Sequence, residues 1–451
     1  MQVVLGMVLV LLMHVFNVLV LRPRSLRAKL HRQGIHGPSP HFYFGNIPKM
    51  KTLLLQVQLA PTTQVNDKVQ RVSLSHKWPF PLFPHIQKWI NQYGPLYLFS
   101  TGTVQWLMVT NTEMSTYLFK DPGPLLGQGI LSSSGQILGS SEEDNCRELY
   151  LDKPMVNLIV DSINITLRSW EARLEIINYI EEKEIFSKLR DLQKLLSKIH
   201  AGIPGYQYLP NKSNRQMWRL ERKINSNISK LIKQRQEETH EQDLLQMILE
   251  GAKYCKGSDG LLSNSISHDR FVIDNYKIIF FAGHEIIAIT ESWCLMLLAL
   301  HQDWQDRARA EVLEVCGIGA LDAMQLTLVI QETLRLYSPQ AHVVRTAFQD
   351  IILKGILVPK GMNIQIPVPL LNQYPQLPDV HKFNPERFAN GVLGACKVPQ
   401  AYNPFGIGPR VILSLILLKF HFSLSLSYCH SPSFRLVIEP GHGVVTKMTR
   451  I

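Results

Sequence analysis

The residues best suited to hold a charged group lie in Asn403-Pro404-Phe405-Gly406-Ile407-Gly408-Pro409-Arg410-Val411-Ile412. Gly406 and Gly408 admit backbone conformations closed to other residues, and Pro409 fixes a turn. Phe405 is an apolar plug, and Arg410 is a permanent cation with a planar fork of donors. Such a loop suits an anionic cofactor, or a thiolate whose sulfur accepts backbone N–H groups. No thiolate is present, because Ile412 follows Val411. Residues 412–418 read as a buried helix or strand.

Two further groups of charges precede the loop. Glu332 and Arg335 are three residues apart and so share a helix face, a spacing that by itself supports only an ordinary pair worth a few tenths of a kcal/mol. Pro385-Glu386-Arg387-Phe388 follows in an irregular stretch. The six cysteines, Cys146, Cys255, Cys294, Cys316, Cys396 and Cys429, are widely and irregularly spaced with no C-x-x-C, which argues against a zinc site and a disulfide scaffold. Reduced thiols are the expectation.

Positioning these groups requires a large fold, and composition allows one. The 451 residues are 45% hydrophobic and 18% charged, enough apolar material for a sizeable core. The net charge of +11 has one dense cluster, at Arg22, Arg24, Arg27, Lys29 and Arg32. No basic stripe or reader motif points to nucleic acid; a membrane surface or acidic partner protein suits the charge better. Val3 to Leu21 is almost wholly apolar, with charges after it and no small-residue cleavage site, so it reads as a signal anchor. The positive-inside bias places the rest of the chain in the cytosol. The expected organisation is an anchor over 1–21, a basic segment and stiff Pro/Gly hinge over 22–46, and the main domain over 47–451.

Within that domain, Lys51 to Pro84 shows no clear period and reads as a flexible insert. A helix opens at Leu82–Ile90 and stops at Tyr93-Gly94-Pro95. Leu96–Ser100 and Gln105–Val109 form a hairpin around Thr101-Gly102-Thr103. Glu184–Ile199, Met217–Arg235, Phe271–Leu300, Asp303–Val315 and Leu326–Tyr337 carry helical periodicity. From His342 to Leu370 the period falls towards two, with a turn at Pro359-Lys360-Gly361, which predicts a small sheet.

Glu332-x-x-Arg335 on a helix, then Pro385-Glu386-Arg387-Phe388, then Phe405-x-x-Gly408-x-Arg410 is an ordered set, and with it the chain resembles the cytochrome P450 family of haem-thiolate monooxygenases. The resemblance covers most of the chain, including the anchor and hinge, Tyr93-Gly94-Pro95, and Ala282-Gly283-His284-Glu285. The wording at Gly123-Pro124-Leu125-Leu126-Gly127 and Phe281–Glu285 looks most like plant members of the clan that includes gibberellin oxidases. The resemblance implies a mainly α fold with a small β-rich subdomain, from Leu96–Val109 and Val343–Pro367, and an N-terminal membrane anchor. It also implies haem, electrons from an NADPH-dependent reductase, a lipophilic substrate that in the finer reading is a gibberellin-like diterpenoid, and residence at the endoplasmic reticulum membrane.

Roles follow residue by residue from the resemblance. Glu332, Arg335 and Arg387 form a buried ion network. Arg410, and Arg345 in Val343-Val344-Arg345, match contacts to haem propionates. Phe405 packs beside the ligand sulfur at the loop that Gly408 shapes. Gly283 leaves room for oxygen above the iron, and Glu285 is the acid of the oxygen-activation motif. The departures from the pattern are equally specific. The ligand cysteine position is Ile412, and the glycine two residues on is Ser414. About three helical turns, or ~16 Å of helix, are missing after Val411. The threonine expected after Glu285 is Ile286, and Thr290, one turn later, reads as a back-bonded or core-edge residue. The Trp/Arg helix expected in 136–147 is unrecognisable, and shortening is expected after Leu174, near Leu321-Asp322-Ala323 and before Pro378. Two functions follow as expectations: a haem monooxygenase impaired by loss of its thiolate, or a non-catalytic anchored remnant without haem. Cys396, Cys429 and His421 are the nearest substitutes for the ligand in sequence.

Overall fold

The computed structural model describes residues 2–59, 76–111, 113–115, 126–129, 176–196, 203, 205–237, 268–316, 324–373, 379–395, 402, 420–425, 428–434 and 437–450. It is mainly helical with small sheets, as the sequence predicts. The chain begins with helix α1 (Gln2–Phe16), a π-helical turn at Asn17–Leu21, and α2 (Arg22–His31), which follow one another without a break. Pro23 does not end the helix. It lacks an N–H and its ring crowds the carbonyl four residues back, and the wider turn ahead of it absorbs both problems: the Arg22 N–H reaches back to the Asn17 carbonyl. The expected boundary at residue 21 therefore falls inside a continuous helical run. Leu5–His31 is long and apolar enough to cross a membrane.

The segment after α2 is held against the domain. Leu30 and Ile35 are buried in a core with Leu98, Leu107, Val343 and Ile364. Arg27 Nη2 donates to the carbonyls of Gly37, at 3.2 Å, and Pro38, at 2.7 Å. The Leu98 N–H donates to the His36 carbonyl, and a Cβ on Gly37 would sit 1.8 Å from the Leu98 carbonyl oxygen, so only glycine fits there. Residues 51–59, expected within a flexible insert, continue helix α3 (Ile47–Leu59). That helix buries no side chain, which is why it leaves no hydrophobic period to read. Two short helices follow, α4 (Pro79–Leu82) and α5 (Pro84–Tyr93), with a break between them at Phe83.

Strands β1 (Leu96–Thr101) and β2 (Val104–Val109) form the expected hairpin, turned at Gly102 with φ of +58°. They join β3 (Leu126–Gly129), β4 (His342–Ala347) and β7 (Asn363–Pro367) in one sheet ordered β1-β2-β7-β4-β3, in which β2 and β7 alone are parallel. Alternation along β1 builds two cores. Leu98 faces the N-terminal segment, while Tyr97 and Phe99 pack on Ile86 and Trp89 of α5. β5 (Ile351–Leu353) and β6 (Ile356–Val358) pair only with each other, so the sheet expected over 342–370 is really two. Residues 368–370, placed in the sheet from sequence, instead open a short helix, α11 (Val368–Asn372), behind Pro367.

The helices are α6 (Ile176–Leu196), α7 (Lys212–Glu237), α8 (His268–Leu300), α9 (Gln302–Cys316) and α10 (Met324–Leu336), each covering the corresponding predicted stretch to within a few residues, apart from the eight extra residues at the start of α6. A short α12 (Gly391–Ala395) and strands β8 (Phe420–Leu424), β9 (Pro432–Phe434), β10 (Ile438–Pro440) and β11 (Thr446–Arg450) complete the described elements. The C-terminal half of α8, with α9 and α10, encloses a core of Trp293, Met296, Leu297, Trp304, Val329 and Tyr337, closed by Trp78 and Ile438.

Two histidines, His76 and His85, are buried beside these cores, and two more, His342 and His430, are half-buried there. Desolvation pushes His76 and His85 down to about 3, and His342 and His430 down to about 4. Each stays neutral when folded and takes up a proton near pH 6.5 when unfolded. The unfolded chain thus binds more protons below pH 6.5, and stability falls as pH drops from 6.5 towards 4, by about 1.4 kcal/mol per pH unit for each histidine. Urea unfolding at pH 7.5, 6 and 5 should give a progressively lower midpoint; a midpoint that holds steady or rises would show that these imidazoles are not kept neutral.

Candidate functional site

Helix α10 carries the charges around which the site is built. Its residues 328–336 are almost all buried, and among them Glu332 and Arg335 have 0% side-chain exposure. The two meet as a bidentate pair, Arg335 Nε to Glu332 Oε2 at 2.7 Å and Nη2 to Oε1 at 2.8 Å. Arg335 Nη1 also donates to the carbonyls of Val380, at 2.7 Å, and Asn372, at 3.3 Å, and Nη2 reaches the Lys382 carbonyl at 3.2 Å. Glu332 Oε1 accepts the Asn384 N–H at 2.9 Å. Full pairing matters because an uncompensated charge in this position would be expensive.

The chain that accepts these bonds leads into a 3-10 turn at Pro385–Phe388. There Arg387, 8% exposed, brings Nε to 3.7 Å from Glu332 Oε2. Glu332, Arg335 and Arg387 thus come together. Glu386 in the same turn faces outward and pairs with Arg307 of α9. Phe388 packs on Tyr402 with ring centroids 4.9 Å apart, and the Tyr402 hydroxyl donates to the Gln331 carbonyl of α10 at 3.0 Å. α10 therefore fixes both the turn and the residue that leads into the 403–412 loop. Phe405, Gly408, Arg410 and Ile412 lie outside the described residues, as does Cys396.

Arg345 stands on β4, opposite Gln128 of β3 and Ile364 of β7. Its Nη1 donates to the Val344 carbonyl at 3.1 Å, while its Nε is buried with no hydrogen-bond partner. Desolvation lowers its pKa from the usual guanidinium value. Among the described residues no carboxylate pairs with it, so the position suits an anion supplied from elsewhere.

Gly283 and Glu285 lie near the middle of α8, in the run 278–285 whose backbone alone is described. One turn on, Thr290 Oγ1 donates to the Ile286 carbonyl at 2.7 Å, the first of the two states that the sequence offers for it. Its hydroxyl proton is committed to its own helix. The next residue belongs to none of the sequence motifs: Glu291 buries Oε1 with no hydrogen-bond partner, and burial pushes its carboxyl up to about 7. The proposed substitutes for the ligand are dispersed. Cys429 is exposed between β8 and β9 and His421 lies on β8; Cys294, which was not among them, is buried in the core. Among the described residues no three His, Cys, Asp or Glu side chains converge as a metal site.

Residues 169–411 match the family model described as Cytochrome P450. The chain is 40% identical to Cytochrome P450 714C2 of Oryza sativa subsp. japonica, covering 97% of this chain and 95% of the relative, and 35% identical to Cytochrome P450 714A2 of Arabidopsis thaliana, covering 96% and 95%. The first comparison spans 505 aligned positions, more than the 451 residues of this chain, so the relative has residues that this chain lacks. Retinoic acid-bound cyanobacterial CYP120A1 superposes with a TM-score of 0.59 at 21% identity, over 81% of this chain and 94% of that one.

The ion network predicts a sharp stability effect. Glu332→Ala leaves Arg335 buried without its carboxylate and should cost about 3–5 kcal/mol, whereas Arg387→Ala, removing the more distant partner, should cost less. Urea midpoints of the two variants check the order; equal and small losses would mean that the pair is not desolvated.

Proposed function

The chain belongs to the cytochrome P450 family, and from that premise we propose that it is a membrane-anchored haem monooxygenase by descent whose own oxygen chemistry is lost because the segment bearing the axial thiolate is missing. The single observation that carries this is Ile412 at the ligand position, with Ser414 where a glycine is expected. The surplus of aligned positions in the rice relative supports deletion rather than a point substitution.

Haem fits the two ends of this site unequally. The propionate end is supported by the buried, partnerless Nε of Arg345, with Arg410 as its expected companion on the loop. The iron end is not: position 412 is isoleucine rather than cysteine, the buried thiol of Cys294 belongs to the core, and Cys429 is exposed. We therefore assign no catalytic step to the group. Gly283 and Glu285 keep the residue types of an oxygen-binding helix, but Ile286 supplies no hydroxyl and Thr290 has turned its own inward. In this proposal residues 1–21 anchor the chain, 22–46 join it to the domain, and 47–451 are a P450 domain carrying internal deletions. The domain faces the cytosol from the endoplasmic reticulum, where an NADPH-dependent reductase is the ancestral partner. The ancestral substrate is lipophilic, a gibberellin-like diterpenoid in the finer reading that the sequence resemblance supports. The second reading is a folded remnant without haem, and it rests on the same missing ligand.

A reduced carbon monoxide difference spectrum of the expressed full-length chain distinguishes the outcomes. We expect no thiolate Soret band, and none in Ile412→Cys, because the supporting helix is lacking as well. A normal band in the unmodified chain would overturn the loss of oxygen chemistry; a band appearing in Ile412→Cys would overturn the deletion.

A further inference from the structure

The aromatic cluster in the largest core is linked by hydrogen bonds that packing alone does not require. Tyr337, just past the end of α10, lies nearly parallel to Trp293, with centroids 4.1 Å apart at 14°, and to Trp78, at 6.0 Å and 10°. Both indoles are anchored: Trp78 Nε1 donates to the Leu336 carbonyl and Trp293 Nε1 to the Ile438 carbonyl. The Tyr337 hydroxyl is 2.6 Å from His76 Nδ1 and 3.2 Å from His430 Nε2. His430 Nδ1 is 2.9 Å from the Tyr428 hydroxyl, which is itself 2.9 Å from Met296 Sδ.

A phenol has one proton and cannot donate to two imidazoles, and a neutral imidazole has one donor and one acceptor. The four groups must therefore be oriented together. In one sense Tyr428 donates to His430, His430 to Tyr337, and Tyr337 to His76. In the other His76 donates to Tyr337, Tyr337 to His430, His430 to Tyr428, and Tyr428 to the Met296 sulfur. Both satisfy every oxygen and nitrogen that links the row, and only the Met296 sulfur loses its donor in the first, so the row can conduct a proton without leaving a linking oxygen or nitrogen unpaired. Burial holds both imidazoles neutral and raises the Tyr337 hydroxyl far above the usual phenol range. The phenol keeps its proton at neutral pH, and an uncharged acceptor waits beside it.

The geometry points to Tyr337 as a redox-active tyrosine, oxidised beside two near-parallel tryptophans with His76 as its proton acceptor. In this step a strong one-electron oxidant removes one electron from the phenol and is itself reduced by one electron. The O–H bond of Tyr337 breaks, and its proton forms an N–H bond at His76 Nδ1. The products are a neutral tyrosyl radical and an imidazolium, with the positive charge on the histidine rather than on a buried phenol. Return of the electron sends the proton back. Trp78 and Trp293, both stacked near-parallel to it, can share the hole, and His430 with the half-buried Tyr428 gives it a way towards the surface. No haem takes part.

The test uses the full-length chain in detergent, with photogenerated tris(bipyridine)ruthenium(III) as oxidant, read by transient absorption and electron paramagnetic resonance. A neutral tyrosyl radical is expected, formed with a solvent deuterium isotope effect. Tyr337→Phe should remove that signal although thirteen of the 14 tyrosines remain. His76→Phe should slow radical formation by about tenfold or more, as expected when the barrier loses one hydrogen-bonded proton acceptor. If either variant fails to fold, 3-fluorotyrosine placed at position 337 leaves the packing in place and marks the site: fluorine splitting in the radical spectrum supports the assignment, and its absence overturns it. An undiminished tyrosyl signal in folded Tyr337→Phe overturns it equally.

Discussion

The bidentate contact between Glu332 and Arg335 is the constraint on which the rest of this half of the molecule depends. Both side chains are fully buried, so neither charge can be rescued by water. The guanidinium's remaining donors and a carboxylate oxygen must find partners, and they find backbone groups at 372, 380, 382 and 384. A helix thereby dictates the course of a chain segment with no regular structure of its own. Arg387 and Phe388 are placed as a consequence, and Tyr402 is tied back to the same helix. The charged pair works as a jig for the approach to the loop rather than as a source of net stability, since two desolvated ions of this kind roughly offset their own attraction.

That division explains how a chain can keep the P450 fold while its ligand segment departs from the pattern. The network that shapes the approach to the loop is built from α10 and backbone atoms between 372 and 387, upstream of Ile412. The aromatic core behind α10 is likewise closed by residues from opposite ends of the chain, Trp78 and Ile438.

Much of this was legible in sequence, for physical reasons that differ by element. The β1–β2 hairpin announced itself through alternation and the Thr101-Gly102-Thr103 turn. α8 was legible as a long run without proline. α3 was not, because a helix with no buried face has no apolar stripe to read. The continuity of α1 and α2 was hidden because Pro23 reads as a stop, and only the wider turn before it shows how the clash is relieved. The spacing of Glu332 and Arg335 put them on one face, but their other partners are main-chain atoms with no side-chain signature. The His76–Tyr337–His430 row joins positions 261 and 93 residues apart, and nothing in the local sequence of any of them marks it. Glu291 carried no signal beyond being out of place.

The unbroken run from α1 into α2 has a mechanical meaning. Its 27 residues from Leu5 to His31 rise about 40 Å, against a hydrocarbon core of about 30 Å. Its far end is clamped to the sheet through Leu30, Arg27 and the Gly37 contact. A helix fixed in this way acts as a lever rather than a tether. In the anchored protein proposed above, a thinner bilayer that tilts this helix would swing the domain with it, so lipid thickness would set which surface of the protein meets the headgroups.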